Sequence, residues 1–484
     1  MSDRTHRHDV VIVGGGISGA AALHGLASRD ADVVLIESSD RLGGVIRSER
    51  TPWGVVELGP NTVQARSDVV TGLIDELGLG DLLLDASPAA RHRFVLRDGR
   101  PVALPADPRS AIETSLLSGK GKLRAISEAV LPIGRSIPTE EESIGDFVRR
   151  RFGRETLDYL VDPMISGVYA GVPDALSIEH AFPQLHALDR QGGSLLRNGI
   201  KRMRAARKKG AGRERRSILS FRDGLATLPL AIGERWKDRI IYGAHVAAIE
   251  RAEDPHSGWR IRVDHDGSDG EVHADHLILA LPAYASAHLL APHDADLANA
   301  LGLIPHAPVA VVTLRYARSA ITHPLDGFGM LVPSREKREI LGALFISSIF
   351  PERYSPDDAI LTLFIGGARR PELVERSDEA LIALAGEELR GILDISGDPL
   401  DARIQRWSPG IPQYALGYGD IMRRIADGEQ RLGDLDLIGS WRGGVSVPDC
   451  VENGLRVGER GTGNGERAAR HVSERKDIFV SRKK

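Results

Sequence analysis

The chain has 484 residues, with 63 lysines and arginines against 67 aspartates and glutamates and an apolar share of 42%. That length exceeds what one hydrophobic core usually serves, so two or three domains with room for a large cofactor are expected. A formal charge of −4 excludes a global attraction to nucleic acid or an anionic membrane, and a single cysteine, Cys450, excludes an internal disulfide and a cysteine-cluster metal site. The polar stretch from Met1 to His8 lacks the apolar core of a signal peptide. No apolar run approaches the roughly 18–20 residues of a membrane-spanning helix. A cytoplasmic protein, soluble or peripheral on a membrane, is the expectation.

In chain order, Val10–Val13 is an unbroken apolar run, the pattern of a parallel strand buried on both faces. Gly14-Gly15-Gly16-Ile17-Ser18-Gly19 follows, with G-x-G-x-x-G at Gly14, Gly16 and Gly19, then a small-residue helix from Ala20 to Ala27. A second strand, Asp32–Ile36, ends in the acid Glu37. Gly14 makes the turn, Gly16 lets the backbone approach a pyrophosphate, and Gly19 lets helix meet strand. The helix N-terminus adds free N–H groups and a positive dipole end. Glu37 lies about 20 residues on, where a carboxylate accepts ribose hydroxyls and repels a 2′-phosphate. Gly14, Gly15, Gly16, Ser18, Gly19 and Glu37 are therefore candidate dinucleotide contacts, without a choice between FAD and NAD.

The segment Arg41-Leu42-Gly43-Gly44-Val45-Ile46-Arg47-Ser48 resembles the second dinucleotide motif of the flavin amine-oxidase and carotenoid-desaturase superfamily. There the paired glycines and the arginine approach the FAD phosphates, which adds Arg41, Gly43 and Gly44. From this point the chain resembles the protoporphyrinogen oxidase and coproporphyrinogen III oxidase family. The likeness is carried by Glu57-Leu58-Gly59-Pro60-Asn61-Thr62, Ser166-Gly167-Val168-Tyr169-Ala170-Gly171, Gly192-Gly193-Ser194-Leu195 and Phe221-Arg222-Asp223-Gly224-Leu225. Asp223 stands where that family usually has glycine. Phe345–Pro351, Phe364–Ala368, Trp407 with Ile411-Pro412-Gln413-Tyr414, and Ile438–Cys450 continue the match, so it spans nearly the whole chain. A departure falls near the end, where Gly458 and Gly461–Gly465 are expected to interrupt the last helix with a loop.

The resemblance implies an α/β fold: a Rossmann-like FAD-binding domain, a β-rich substrate domain and a helical domain that touches a membrane. The expected ranges are 1–88, 215–290 and 420–475 for the first, 291–419 for the second and 89–214 for the third, with 476–484 as a tail. It places Gly59, Pro60, Asn61, Trp407, Val447, Pro448 and Asp449 at the flavin, and the strand around Val246 beside adenine. Arg93 would pair with a substrate propionate, guanidinium to carboxylate, with Arg91 as a neighbour able to substitute. Gly167 would present backbone carbonyls to the macrocycle, and Leu314 and Leu341 would pack on its faces. His306 reads as structural.

The implied reaction is oxidation of protoporphyrinogen IX to protoporphyrin IX in haem biosynthesis, with oxygen as acceptor and three hydrogen peroxide released. The flavin carries the chemistry, so no catalytic side chain and no metal is expected, and no G-x-S-x-G or H-E-x-x-H motif occurs. Coproporphyrinogen III, with four carboxylates instead of two, is the rival substrate, and an extra cation facing the pocket would favour it. Amine oxidation or desaturation fits the nucleotide motifs alone. A flavin-free binding role like that of GDP-dissociation inhibitors is the alternative from another class. A ferrochelatase receiving the product and a homodimer are further partner expectations. From Lys201 to Arg216 runs a basic segment opposed only by Glu214. It reads as a solvated loop or an anionic-lipid patch; the aromatic interleaving of a nucleic-acid site is absent.

Overall fold

The computed structural model describes residues 6–65, 68–131, 140–208, 218–251, 258–265 and 267–460. The side chains of the basic segment beyond Lys201, the glycine-rich stretch Gly461–Gly465 and the tail 476–484 lie outside the described residues. The architecture is α/β, built on two seven-stranded sheets.

In the first sheet the strands lie in the order Ile240–Ile241, Val33–Ile36, His6–Val13, Ser268–Leu279, Trp259–His265 and Ala244–Arg251, with Leu435–Leu437 also paired to Ser268–Leu279. Its centre is parallel and its far edge antiparallel. Parallel strands covered on both faces need an apolar residue at every position, and Val10–Val13 and Val33–Ile36 are buried throughout. Helix Ile17–Ala27 packs on this sheet with every residue buried.

The last helix, Val447–Arg460, lies against that helix and runs unbroken through Gly454 and Gly458, which corrects the expected interruption at Gly458. A Cβ at Gly454 would sit 2.3 Å from the Ser18 carbonyl oxygen, and one at Gly458 would sit 3.1 Å from the Gly25 Cα. These glycines are where two helix backbones meet, and the packing gained offsets their poor helix propensity.

The second sheet has the order Asp401–Pro412, His306–Ala317, Asp358–Gly366, Ile340–Phe345, Gly327–Leu331, His92–Arg97 and Arg100–Ala103. Its last two strands come from the range expected to be helical, so 89–214 is not one helical piece. Phe94 and Leu96 alternate into the sheet's core face, a pairing that sequence distance conceals. Helix Asp378–Leu393 covers that core face.

The helices between residues 108 and 208 pack around a buried ionic cluster. Arg151 is fully buried, ion-paired to Asp189 and 3.4 Å from Glu128. Glu128 also accepts from Leu195 N at 2.7 Å and Leu196 N at 3.1 Å, satisfying the first turn of helix Leu195–Lys208.

Candidate active site

At the edge of the first sheet the two glycine loops close on each other. Gly43 N donates to Gly15 O at 2.8 Å, and Gly16 bridges to Gly43. Gly14 holds φ +101°, and a Cβ at Gly19 would stand 2.0 Å from the Gly14 carbonyl oxygen, so neither position accepts a side chain. A Cβ at Gly16, by contrast, would meet nothing within 4 Å. Gly16 is also the N-cap of helix Ile17–Ala27, and no side chain caps that helix. An uncapped N-terminus facing open space fits a pyrophosphate, and buried Ser18 lies in its first turn.

Glu37 accepts from Gly15 N at 2.6 Å through Oε2, and from Ser39 N at 2.8 Å and Ser39 Oγ at 2.7 Å through Oε1, which orients the carboxylate and leaves Oε2 the lone pair for a ribose. Its carbonyl accepts from Ala244 N at 3.0 Å, so the strand bearing Val246 starts beside it. Val246 is buried in the sheet, and the register shift after it makes Ala247 a bulge. Arg41 spends three N–H groups on the carbonyls of Leu42, Ile46 and Gly44, so it shapes the Gly43-Gly44 turn and keeps only part of its fork for a phosphate. Burial and neighbouring Arg47 lower its pKa.

Val45, directly after the Gly43-Gly44 turn, lines a cavity of about 3090 Å³ between the two sheets and the helical region. Single-ligand pockets usually span about 300–1,000 Å³, so this one has room for a cofactor ring and a macrocycle together. One wall is Gly59, Pro60, Asn61, Trp407, Val447, Pro448 and Asp449. Trp407 Nε1 donates to Leu58 O at 2.7 Å, pinning the loop before Gly59. A Cβ at Gly59 would lie 1.9 Å from Val45 O. Asn61 donates to Gly59 O at 2.9 Å while its Oδ1 is buried with no partner, which leaves an acceptor for a donor on a bound ring. The last helix begins here, with Ser446 and Asp449 capping each other reciprocally.

The opposite wall is the second sheet. Val309, Val311, Leu331, Leu341, Leu344 and Phe364 line it, and none of the sheet residues on the cavity carries a charge. Leu341 lies on this face. Leu314 does not: it is fully buried on the other face, beneath helix Asp378–Leu393, and this corrects its assignment to the substrate. Along His306–Ala317 alternate residues share a face, so Val309 and Val311 point to the cavity and Ala310, Val312 and Leu314 away. Side-chain parity held that information, but the strand's solvent or cavity face could not be chosen without its partners.

Arg93 is exposed on the cavity's side of the sheet, its guanidinium 5.3 Å from the centre of the Phe328 ring, and Phe328 lines the cavity. Phe328 reaches that position because a register shift between Gly327 and Gly329 makes it an extra residue, a bulge invisible in the sequence. Neither Arg93 nor its exposed neighbour Arg91 is among the residues that line the cavity; Arg93 borders it through Phe328. Gly167 closes the third side on helix Asp162–Tyr169, where a Cβ would lie 2.6 Å from Leu331. Asp162 anchors that helix by accepting from Ser334 N at 2.7 Å and Arg369 Nη2 at 2.9 Å. Sequence reading missed this anchor and Val309, Val311, Phe328 and Phe364.

The buried phenols and thiol beside the cavity are held in their neutral forms. Burial pushes Tyr169 up to about 12, with Asp449 adding to it, and burial pushes the Cys450 thiol up to about 12. Tyr414 is raised further by burial, its hydroxyl donating to Ser440 O at 2.9 Å and accepting from Gly444 N at 2.9 Å. His306 is lowered by burial and bonds Ile304 O at 3.0 Å, a structural role. Such groups shape a pocket and do not relay protons at neutral pH.

A family model described as flavin containing amine oxidoreductase matches residues 15–460. The chain is 30% identical over 473 residues to protoporphyrinogen oxidase 2, chloroplastic/mitochondrial, of Arabidopsis thaliana, covering 93% of each chain. It is 33% identical over 484 residues to the protoporphyrinogen oxidase of Homo sapiens, covering 93% of this chain and 97% of the other. A crystal structure from Exiguobacterium sp. 255-15, provisionally named as a protoporphyrinogen oxidase, superimposes with a TM-score of 0.79 at 28% identity, covering 95% and 99% of the two chains. A putrescine oxidase variant shares the fold at TM-score 0.69 and 18% identity.

Proposed function

The chain belongs to the flavin containing amine oxidoreductases, in the branch of the protoporphyrinogen oxidases, and from that premise we propose that it oxidises protoporphyrinogen IX to protoporphyrin IX in haem biosynthesis. It is an FAD-dependent oxidoreductase. The observation that carries the substrate reading is the uncharged sheet face beside the Gly59–Asn61 loop, with Arg93 stacked on Phe328 at its edge.

The residues that would hold FAD are the Gly14–Gly19 turn and Glu37 at the adenosine and pyrophosphate end, and Gly59, Pro60, Asn61, Trp407 and Val447–Asp449 at the ring. The chemistry supplied by bound FAD is hydride abstraction from a substrate carbon, repeated three times, with oxygen as the final acceptor. The protein's part is placement. Val309, Val311, Leu341 and Phe364 give the flat macrocycle an apolar bed and exclude water. Arg93 fixes its orientation through a propionate. At the start of helix Val447–Arg460, Pro448 has no N–H and Asp449 N donates to Ser446 Oγ, so this end shapes the ring side of the cavity and does not offer a row of free donors.

The uncharged sheet face with Arg93 beside it suits the two propionates of protoporphyrinogen IX, while Arg190, Arg423, Arg442 and Arg456 line the cavity away from that face, where they could pair with further carboxylates of coproporphyrinogen III. Anaerobic reduction of the holoenzyme by each porphyrinogen tests this. Faster reduction by protoporphyrinogen IX is expected; faster reduction by coproporphyrinogen III overturns the substrate assignment.

We further propose that the helical region rests on an anionic membrane surface. No helix among the described residues is long and apolar enough to cross a membrane. Helix Gly119–Val130 nevertheless exposes Leu123, Ile126 and Val130, at 70%, 56% and 65%, along one stripe. Leu196 and Ile200 extend exposed apolar surface on the neighbouring helix, beside the exposed cations Arg197 and Lys201. Apolar stripes rimmed by cations are what an interfacial helix presents.

A further inference from the structure

A buried ion pair outside the cavity lies at the root of the Leu58–Thr62 loop. Glu57 ends the hairpin Ser48–Thr51/Gly54–Glu57, just before the loop Leu58–Thr62. Its carboxylate lies 3.2 Å from the Arg353 guanidinium, with side chains 1% and 0% exposed. Arg353 ends the short helical turn Pro351–Arg353, on the connection between the second-sheet strands Ile340–Phe345 and Asp358–Gly366.

The pair joins three separated segments. Glu57 accepts from Ser48 Oγ at 2.6 Å and from Leu225 N at 2.9 Å. Arg353 donates to Ser220 Oγ at 2.6 Å and to Phe221 O, and its guanidinium lies 4.7 Å from the centre of the Phe350 ring. Both ends of the Leu58–Thr62 loop are thus tied to the strand Ile218–Phe221 and its turn: Glu57 through Leu225, and Val63 through pairing with Leu219. Arg353 grips the same strand from the substrate side.

Inside the loop little freedom is left. Leu58 N donates to Arg47 O at 2.8 Å, Leu58 O receives Trp407, and Gly59 is pressed on Val45. The loop therefore moves only as its anchors move. A buried ion pair is a weak source of stability, because desolvation offsets the attraction, but its geometry is strict. Burial pushes the Glu57 carboxyl up, against Arg353, Ser48 and Leu225, so loss of the arginine alone leaves an acid without its directing partner.

We propose that Glu57 and Arg353 are a positioning pair that sets the Gly59–Asn61 loop against the substrate sheet, and so governs how fast bound substrate reduces the flavin. The proposal rests on the flavin-oxidase reading but not on which porphyrinogen is used. Substrate affinity and FAD content are not its targets.

The test compares holoenzymes of wild type, Arg353→Met, Arg353→Lys, Glu57→Gln and the double Glu57→Gln/Arg353→Met. Three quantities are read: the limiting rate of anaerobic flavin reduction by protoporphyrinogen IX, the KM, and amide exchange of peptides spanning 57–65 against those of the strand at 9–13. Arg353→Met is expected to slow reduction at least about tenfold, since ångström misplacement costs rates of that order or more. KM should stay within about threefold, and exchange should quicken at 57–65 alone. Arg353→Lys should fall between, and the double variant should recover part of the rate by removing the unpaired acid. If Arg353→Met does not fold, Arg353→Lys and Glu57→Gln carry the same comparison. Unchanged limiting rates with only lower Tm, or a raised KM at constant limiting rate, overturn the positioning role. A wild type that the porphyrinogen does not reduce overturns the functional reading instead.

Discussion

Arg93 is the cation that the proposed function leans on, and its surroundings set what its loss should do. It stands exposed over Phe328 with no ion pair in the described structure, so a substrate carboxylate would find its fork unoccupied. Arg93→Ala is therefore expected to raise KM for protoporphyrinogen IX by about tenfold, or about 1.4 kcal/mol, with kcat little changed. Steady-state kinetics check this; an unchanged KM removes Arg93 from the substrate site. Residues differ in how far the sequence shows their roles. Gly14, Gly19 and Glu37 were legible because turn geometry and close approach are local demands. Arg93 was legible only through family likeness. Arg353 gave no signal, because its partner Glu57 lies 296 positions away and only folding joins them.

At the scale of elements, one strand and a helix pair show where pattern reading stops. His306–Ala317 is apolar on both faces, so alternation separates the faces but does not name them. Leu314→Ala should cost roughly 2–5 kcal/mol of stability by opening a cavity in the core, while leaving KM unchanged. Val311→Phe should instead raise KM about tenfold with a smaller effect on Tm, because its side chain projects into open cavity. The opposite pattern in thermal melts and kinetics would return Leu314 to the substrate site. In the last helix, helix propensity alone predicted a break, whereas contact with the first helix decided the outcome. Gly458→Ala gains about 1 kcal/mol of propensity against a 3.1 Å contact and should be nearly neutral. Gly454→Ala gains the same but meets a backbone carbonyl at 2.3 Å, so crowding wins: lower Tm and lower FAD content are expected. Equal Tm for the two variants would refute the close-approach account.

Across the whole molecule, the cavity exists because the chain returns to each sheet from distant stretches. The first sheet takes strands from 6–36, 240–279 and 435–437, and the second borrows 92–103 from the region otherwise made of helices. That arrangement frees helices Gly119–Val130 and Leu195–Lys208 from covering either sheet, and their buried sides are satisfied by the Arg151, Asp189 and Glu128 cluster. Their outer sides then carry the exposed leucines, isoleucines and cations, and an apolar substrate and product give such a surface a use at a bilayer. A net charge of −4 gives the molecule as a whole no pull toward anionic lipid, so binding must come from this face. Flotation of the holoenzyme with vesicles of phosphatidylcholine alone and with phosphatidylglycerol added tests it. Recovery with the anionic vesicles, reduced by high salt and lost in Leu123→Glu/Ile126→Glu, is expected, since apolar insertion and cation attraction act together there. Flotation that is absent with both vesicles, or unchanged by those two substitutions, would assign the exposed stripe no lipid role.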